Sequence, residues 1–160
     1  MISPSEADRL IGEQLTCLPI ESLPLVQCTG AVLRENVYAE RDQPPYDRVA
    51  MDGVALDSDA TSRGRRSFAV QAMQAAGDPP LTLRSAEHAI EIMTGAVLPQ
   101  GCDAIVPVEQ LQRDEGQVTL IEGLKVVRGQ NIHRRGSDTT QGTLLLQAGM
   151  RLGAPEIAVA

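Results

Sequence analysis

The stretch QPPYDRVAMDGVAL, residues 43–56, marks a change in the texture of the sequence. Two prolines, an Asp-Gly turn signal and an apolar run follow one another here. From this stretch to about residue 130, short apolar segments alternate with turn residues and no helical period stands out. Short strands at this spacing predict a compact β barrel or sandwich.

Strands are predicted in this region where apolar residues alternate or run together. Phe68 and Val70 would share one face of a strand, and Pro107 would place another strand at a sheet edge. Asp114–Gly116 predicts a hairpin turn. The predicted strands are 67–73, 89–93, 104–108, 117–121 and 125–128.

The N-terminal segment has a helical pattern instead. Ser3, Pro4 and Glu6 form a capping signature, and apolar residues then recur at helical spacing. Pro19 bars continuation. The sequence therefore predicts a helix over residues 4–16.

Shorter elements are predicted elsewhere outside the β-rich region. They are a strand at 21–27 interrupted by Pro24, a helix at 29–34, an extended segment at 37–39, a strand at 142–147 and a helix from about 155. The last helix has only about one and a half turns before the sequence stops, and helices this short are not stable alone. We therefore expect the chain to be a fragment of a longer protein.

Composition bounds the class of protein. The chain has 160 residues, 42% of them apolar, and a net charge of −7. This length predicts one ordinary domain or two small ones. The acidic balance and the scarcity of aromatic residues argue against nucleic-acid binding. No apolar run is long enough for a membrane span, and the start MISPSEADRL is not a secretory signal, so we expect a cytoplasmic protein.

The cysteines and histidines carry no metal or nucleophile signature. Cys17, Cys28 and Cys102 form no C-x-x-C pair, and the two histidines, His88 and His133, are far apart in the sequence. This spacing argues against a structural zinc site and a disulfide framework, and it disfavours an independent zinc or cysteine hydrolase.

Two loops carry candidate chemistry, each with a structural alternative. Asp47 and Asp52 would face one cleft and bind a cation or a charged substrate, or Asp52-Gly53 would only supply a hairpin turn. Thr94-Gly95 ends a predicted strand, where a hydroxyl and glycine amides would hold an anion or merely form a capped turn.

Two further loops are rich in arginine. His133, Arg134 and Arg135 form a cationic loop beside Asp138, which suits phosphate or another oxyanion but also fits a solvated charge run. Arg63–Arg66 fits a solvated surface loop better than an anion site.

Taken together and in order, these stretches resemble the molybdopterin molybdenumtransferase family, known as MoeA in bacteria and as the E domain of gephyrin in animals. PPYDRVAMDGVA (residues 44–55) is similar to the family's PPFDNSAMDGYA. IMTGAVLPQGCDAIV (92–106) is similar to IMTGAPVPEGADAVV, and GQNIHRRGSD (129–138) to GENIRRRGED. The tail GTLLLQAGMRLGAPEIAVA also fits, so the resemblance covers essentially the whole chain.

The resemblance implies an α+β, mostly β fold. An elongated, discontinuous α/β domain I, residues 1–41 and 137–160 and truncated at its C-terminal part, would carry an inserted β-rich, barrel-like domain II, residues 42–136. Family members have two further domains, one of which binds the pterin substrate, so this fragment alone is expected to be inactive.

The resemblance also implies an activity and partners. Family members are homodimers that insert molybdenum from molybdate into adenylylated molybdopterin, which the preceding pathway enzyme supplies. Mg²⁺ assists hydrolysis of the adenylate. No nucleic acid or membrane partner is implied. The rival hypothesis is a non-catalytic, β-rich binding, dimer-contact or scaffold module.

Carried over to this sequence, the resemblance implies that Asp52, Thr94 and Asp138 are functional. Asp52 would position the cation or a substrate group and is the candidate metal ligand, and Thr94 would donate a hydrogen bond to that group. Asp138 would do either, or hold its loop. Further candidates for substrate or anion binding are Gly53, Gly95, Arg134 and Arg135, and the two arginines would alternatively brace the domain junction.

This chain departs from the family pattern at four places: Arg48, Val49, Val54 and Ser137. Arg48 introduces a cation beside the acidic motif. We expect it to lower the pKa of a neighbouring carboxyl group or to change how the site handles anions.

Overall fold

The structure is a computed structural model that describes residues 2–160. Its main element is a six-stranded sheet. The strands are β1 (Val37–Tyr38), β2 (Arg48–Val49), β3 (Gly53–Leu56), β4 (Ser67–Gln74), β5 (His88–Ile92), β6 (Ala104–Pro107), β7 (Leu111–Asp114), β8 (Gln117–Leu120), β9 (Ile132–His133) and β10 (Leu144–Leu146). The helices are α1 (Pro4–Gln14), α2 (Ser58–Ser62) and α3 (Ala154–Val159), and Leu25–Gln27 and Val108–Gln110 are 3-10 turns.

The chain divides into two compact units. One comprises residues 2–37 and 144–160, and the other Tyr38–Thr143. The fold class expected from the sequence, α+β and mostly β with a barrel-like β-rich part, is confirmed. The domain division at residues 42 and 136 stays a prediction.

The six-stranded sheet lies in the unit of residues 38–143. Its strand order is β6-β3-β5-β4-β8-β7, and β4 and β5 form the parallel pair. Because successive residues of a strand face opposite sides, the alternation along β3 fills two cores. Val54 and Leu56 join Phe68 in one cluster, while Ala55 joins Ile90 in the other.

Several sequence-based predictions in this unit are confirmed. β4 lies where a strand was expected, with Phe68 and Val70 in the same cluster. Pro107 ends β6, which is an edge strand. Glu115 and Gly116 turn the chain from β7 into β8. Residues 125–128 form no strand, and the short helix α2 was not expected.

The unit of residues 2–37 and 144–160 is less regular. Helix α1 begins as predicted, with the Ser3 hydroxyl accepting a hydrogen bond from the Glu6 amide, and α3 begins at Ala154. The strand predicted at 21–27 is wrong, because Pro24 leads into a 3-10 turn. The helix predicted at 29–34 is also wrong, because this segment pairs with residues 149–152, for example through a Val32–Arg151 bridge. Across residues 2–160, no helix has the length and apolar character that crossing a membrane requires.

Candidate functional site

Asp52 and Thr94 meet because of the pairing between β3 and β5. These neighbouring strands run antiparallel, with Gly53 opposite Ile92. The residue that precedes β3 therefore lies beside the turn that follows β5. Oδ1 of Asp52 accepts hydrogen bonds from both the amide and the hydroxyl of Thr94, each at 2.7 Å. The second carboxylate oxygen of Asp52 takes part in neither bond.

These two hydrogen bonds stabilise the charged form of Asp52. The Thr94 hydroxyl and then the Thr94 amide hold the pKa of the Asp52 carboxyl below its ordinary value, and a smaller effect of desolvation acts in the opposite direction. Asp52 is exposed. The site therefore presents an ionised, pre-oriented carboxylate to the solvent.

Gly53 is required for packing. A Cβ atom there would lie 2.0 Å from the carbonyl oxygen of Val106 in the neighbouring strand β6. The Val108 amide also donates to the carbonyl oxygen of Asp52. The hairpin alternative for Asp52-Gly53 is wrong, because β2 pairs with β9 and β3 pairs with β5 and β6.

The amides of the turn after β5 already have acceptors in the protein. The Gly95 amide donates to the Val49 carbonyl, and the Ala96 amide donates to the Met93 carbonyl. An anion nest at Thr94-Gly95 would have to displace these acceptors as well as Asp52. The observed geometry is that of the capped turn, in which Gly95 supplies a φ of 90° that other residues rarely adopt.

A buried amide braces this turn, and the sequence analysis missed it. Gln74 is fully buried at the end of β4. Its Nε2 donates to the Val97 carbonyl at 2.7 Å, and its Oε1 accepts from the Leu81 amide at 2.7 Å. A glutamine within an apolar strand is the signal that was available, since a buried amide requires specific partners.

The cationic loop forms ion pairs with a segment that precedes it in the sequence. Arg134 Nη1 lies 2.5 Å from Asp47, and the Arg135 amide also donates to Asp47. Arg135 Nε donates to Asp42 at 2.6 Å, and Asp42 also accepts from the Gln141 amide. Asp42 was not singled out from the sequence. Both arginines are therefore engaged as braces, and their predicted anion binding stays a prediction.

We call these contacts of Asp42 and Asp47 with residues 134–141 the clamp. Its hydrogen bonds lower the pKa values of both aspartate carboxyl groups. The pKa of Asp42 is lowered by the Gln141 amide first and by Arg135 second. The pKa of Asp47 is lowered by the Arg135 amide first, with Arg134 adding to the effect. Asp47 and Asp52 have separate partners and are not joined by a common one.

Asp138 belongs to a second group of polar contacts in the same unit. His133 Nε2 lies 2.8 Å from Asp138 Oδ1, and His133 Nδ1 lies 3.1 Å from Arg48 Nη2. Arg48 was expected to lower the pKa of a neighbouring carboxyl group or to change how the site handles anions. Its partner is a histidine instead, because β2 and β9 pair Arg48 with His133.

The other arginine loop is partly structural. Arg66 donates to the carbonyl oxygens of Ile121 and Leu124, and Arg65 pairs with Glu87. These contacts lie beside an open cleft of about 580 Å³. Two of the arginines that line it, Arg65 and Arg66, are therefore already engaged with a carboxylate or with backbone carbonyls.

The donor set at Asp52 suits a cation that arrives with its own ligands. Within residues 2–160, no group of three or more His, Cys, Asp or Glu side chains is placed to hold a metal ion. Mg²⁺ in phosphate-handling sites is commonly held by one or two carboxylates together with substrate phosphates and water. The free oxygen of Asp52 fits one such ligand position.

The chain is thus an α+β protein in which a β-rich unit is inserted into the sequence of a discontinuous unit, and the β-rich unit holds an aspartate that is hydrogen-bonded to a threonine. Residues 2–160 match the family described as "MoeA N-terminal region (domain I and II)". The chain belongs to this family.

Named relatives agree with this assignment. The chain is 40% identical over 126 residues to the molybdopterin molybdenumtransferase of Synechocystis, covering 79% of this chain and 32% of that protein. It is 35% identical to the molybdopterin molybdenumtransferase of Synechococcus elongatus, covering 95% and 39%. A crystal structure of a molybdopterin biosynthesis MoeA protein from Pyrococcus horikoshii superposes with a TM-score of 0.79 at 30% identity, covering 87% and 37%. The chain thus spans 32% to 39% of the length of these relatives.

Proposed function

We propose that this chain is the N-terminal region of an enzyme that inserts molybdenum from molybdate into adenylylated molybdopterin. Family membership and the names of the relatives support the reaction class. The observation that carries the proposal within this chain is the ionised Asp52, oriented by two hydrogen bonds from Thr94.

The proposed role of Asp52 is to position positive charge beside the substrate phosphates. Its free oxygen would hold Mg²⁺ or a substrate group, and Thr94 would fix the direction in which that oxygen faces. Mg²⁺ would supply charge neutralisation at the phosphates of the adenylylated pterin. Asp138 would bind a second substrate group. Substrate or anion binding by Gly53 and Gly95 stays a prediction from the family resemblance.

Other parts of the proposal come from the family resemblance. The enzyme would act as a homodimer and would receive adenylylated molybdopterin from the preceding pathway enzyme. The 160 residues alone are expected to yield no molybdenum cofactor, because they span under half of the relatives' length. Turnover of molybdate and adenylylated pterin by this chain alone would contradict that part. A cytoplasmic location remains a prediction from the sequence.

Substitution of Asp52 in the full-length product of the native gene tests the function. Asp52→Asn removes the charge but leaves an oxygen that accepts both Thr94 bonds, so the fold is retained. We expect cofactor formation to fall by about 100-fold or more. Asp114→Asn, at an exposed position in β7, is the matched control and is expected to keep full activity.

The same experiment separates the enzyme from the rival scaffold module. Cofactor is measured by reconstituting an apo-molybdoenzyme, and folding by thermal unfolding. If Asp52→Asn folds normally and still forms cofactor at the unmodified rate, Asp52 is a structural turn residue. The binding or scaffold role would then be the better account of this region.

A further inference from the structure

The two-residue ladder between β2 and β9 places Arg48 and His133 on its outward side. Val49 pairs with Ile132, and both contribute to an apolar cluster of the unit. Since neighbouring residues of a strand face opposite sides, the preceding Arg48 and the following His133 face away from that cluster. The cross-strand register therefore holds this pair together.

The partners of His133 define which of its nitrogens carries the proton. Arginine has only donors, so Nδ1 of His133 must accept the hydrogen bond from Arg48 with its lone pair. The ring proton then lies on Nε2, which donates to Asp138 Oδ1 at 2.8 Å. A second proton on Nδ1 would face the guanidinium donors and break the Arg48 contact. The geometry selects the tautomer with a proton on Nε2 and a lone pair on Nδ1.

We propose that His133 is a positioning residue for Asp138, and that Arg48 acts one step further away by selecting the tautomer of His133. This proposal rests on the functional role proposed above for Asp138. The backbone amide of Asp138 is held separately, by the Gln43 carbonyl at 2.9 Å. The backbone bond does not orient the side chain. The hydrogen bond from His133 Nε2 therefore sets the orientation of the Asp138 carboxylate.

This orientation has a chemical consequence. Oδ1 of Asp138 accepts a hydrogen bond from the Nε2–H of His133. This bond restrains the carboxylate and so fixes the direction in which its other oxygen, Oδ2, faces. A carboxylate fixed in this way binds a substrate hydroxyl, amine or cation with less loss of side-chain freedom on binding. His133 acts through Asp138 and need not touch the substrate.

The tautomer is tested by nitrogen NMR on the ¹⁵N-labelled chain. The chain has only two histidines, so His88→Gln assigns the spectrum. In the unmodified chain we expect His133 to show a protonated Nε2 and an unprotonated Nδ1. Arg48→Met keeps a long side chain without donors, and we expect the nitrogen signal of the unprotonated Nδ1 to shift because it loses its hydrogen bond. A protonated Nδ1 in the unmodified chain, or an unchanged spectrum in Arg48→Met, would overturn the proposal.

The functional part is tested in the full-length protein. His133→Leu removes the donor to Asp138, whereas His133→Gln offers an amide N–H near the position of Nε2. We expect His133→Leu to lower kcat by about 10- to 100-fold, and His133→Gln to restore most of it. His88→Gln is expected to be unaffected. Equal activity of His133→Leu and the unmodified enzyme would refute the positioning role.

Asp138→Asn separates this proposal from the proposed function. If Asp138→Asn is fully active, the role of Asp138 fails and the positioning role fails with it, although the tautomer result would stand as a structural contact. If Asp138→Asn is inactive but His133 has the wrong tautomer, only the inference about His133 and Arg48 fails.

Discussion

The Thr94 hydroxyl supplies one of the two hydrogen bonds that keep the Asp52 carboxyl ionised. Thr94→Val keeps the shape of the side chain and removes only that donor. We expect the pKa of Asp52 to rise toward its ordinary value, because the charged form loses a partner. Carbon NMR of the Asp52 carboxyl during an acid titration measures this. Thr94→Ser keeps the hydroxyl, and its Asp52 carboxyl should titrate as in the unmodified chain. If the pKa of Asp52 is also unchanged in Thr94→Val, the Thr94 amide and not the hydroxyl is what lowers it.

Gly53 is the residue at which the smallest change should have the largest effect on stability. Its added Cβ would meet the backbone of Val106, which cannot move without separating β3 from β6. We expect Gly53→Ala to lower the free energy of unfolding by about 3 kcal/mol or more. Gly77→Ala is the control, because Gly77 has open space around it. Unlike Gly53 it has a positive φ, and the resulting backbone strain should cost only about 1 kcal/mol. Urea unfolding followed by circular dichroism compares the two, and equal losses would show that the close approach is unimportant.

The sequence predicted individual residues of the site but not the contacts between them. Asp52, Thr94 and Asp138 were singled out by their motifs, and their roles remain predictions. The Arg48–His133 contact joins residues 85 positions apart and depends on the register of two very short strands. No local pattern encodes such a register, because each strand alone is compatible with several partners.

At the level of elements, the clamp of Asp42 and Asp47 ties residues 42–47 to residues 134–141. Both carboxyl groups have lowered pKa values in the folded chain. Their contribution to stability is therefore fully present above the ordinary aspartate pKa of about 4 and is lost as the pH falls through the lower folded values. We expect the unit of residues 38–143 to lose stability as the pH falls below about 4.

The urea midpoint measured by circular dichroism between pH 7 and pH 2 tests this linkage. The double variant Asp42→Asn, Asp47→Asn should be less stable at neutral pH and should depend less on pH below 4. Asp114→Asn, for which no ion pair forms in residues 2–160, should follow the unmodified chain. If the urea midpoint of the double variant depends on pH as in the unmodified chain, groups other than Asp42 and Asp47 cause the loss of stability in acid.

Elements defined by local signals were predicted well, and elements defined by distant contacts were not. Helix α1 has its cap within three residues, and the β7–β8 turn has its glycine in place. Helix α2 has a local cap too, since the Asp57 carboxylate accepts a hydrogen bond from the Asp59 amide, but it is also held from a distance. The amide and hydroxyl of Ser58 both donate to the carboxylate of Asp103, 45 residues further on. Likewise, residues 29–34 are extended because they pair with the C-terminal segment, which overrides local propensity.

On the scale of the whole molecule, the two compact units differ in how their apolar residues are used. The unit of residues 38–143 holds both apolar clusters and every candidate site residue. In the other unit, helix α1 buries none of its residues, and Leu10, Ile11 and Leu15 are exposed. The two units should therefore differ in stability, and the well-packed unit is the one that carries the proposed chemistry.

The three cysteines allow this difference to be measured. Cys17 is exposed and Cys28 is half-exposed in one unit, while Cys102 is buried in the other, where burial first and then the charges of Asp103 and Asp57 raise its pKa to about 12. Because the thiolate is the reactive form, we expect Cys17 to react rapidly with a thiol reagent in the native chain and Cys102 to stay protected. In increasing urea, Cys102 should become reactive only at the unfolding transition of its unit, and Gly53→Ala should bring that transition to a lower urea concentration. Peptide mass spectrometry identifies the labelled cysteine, with Cys17→Ser as the control, and rapid labelling of Cys102 in the absence of urea would show that this core opens readily.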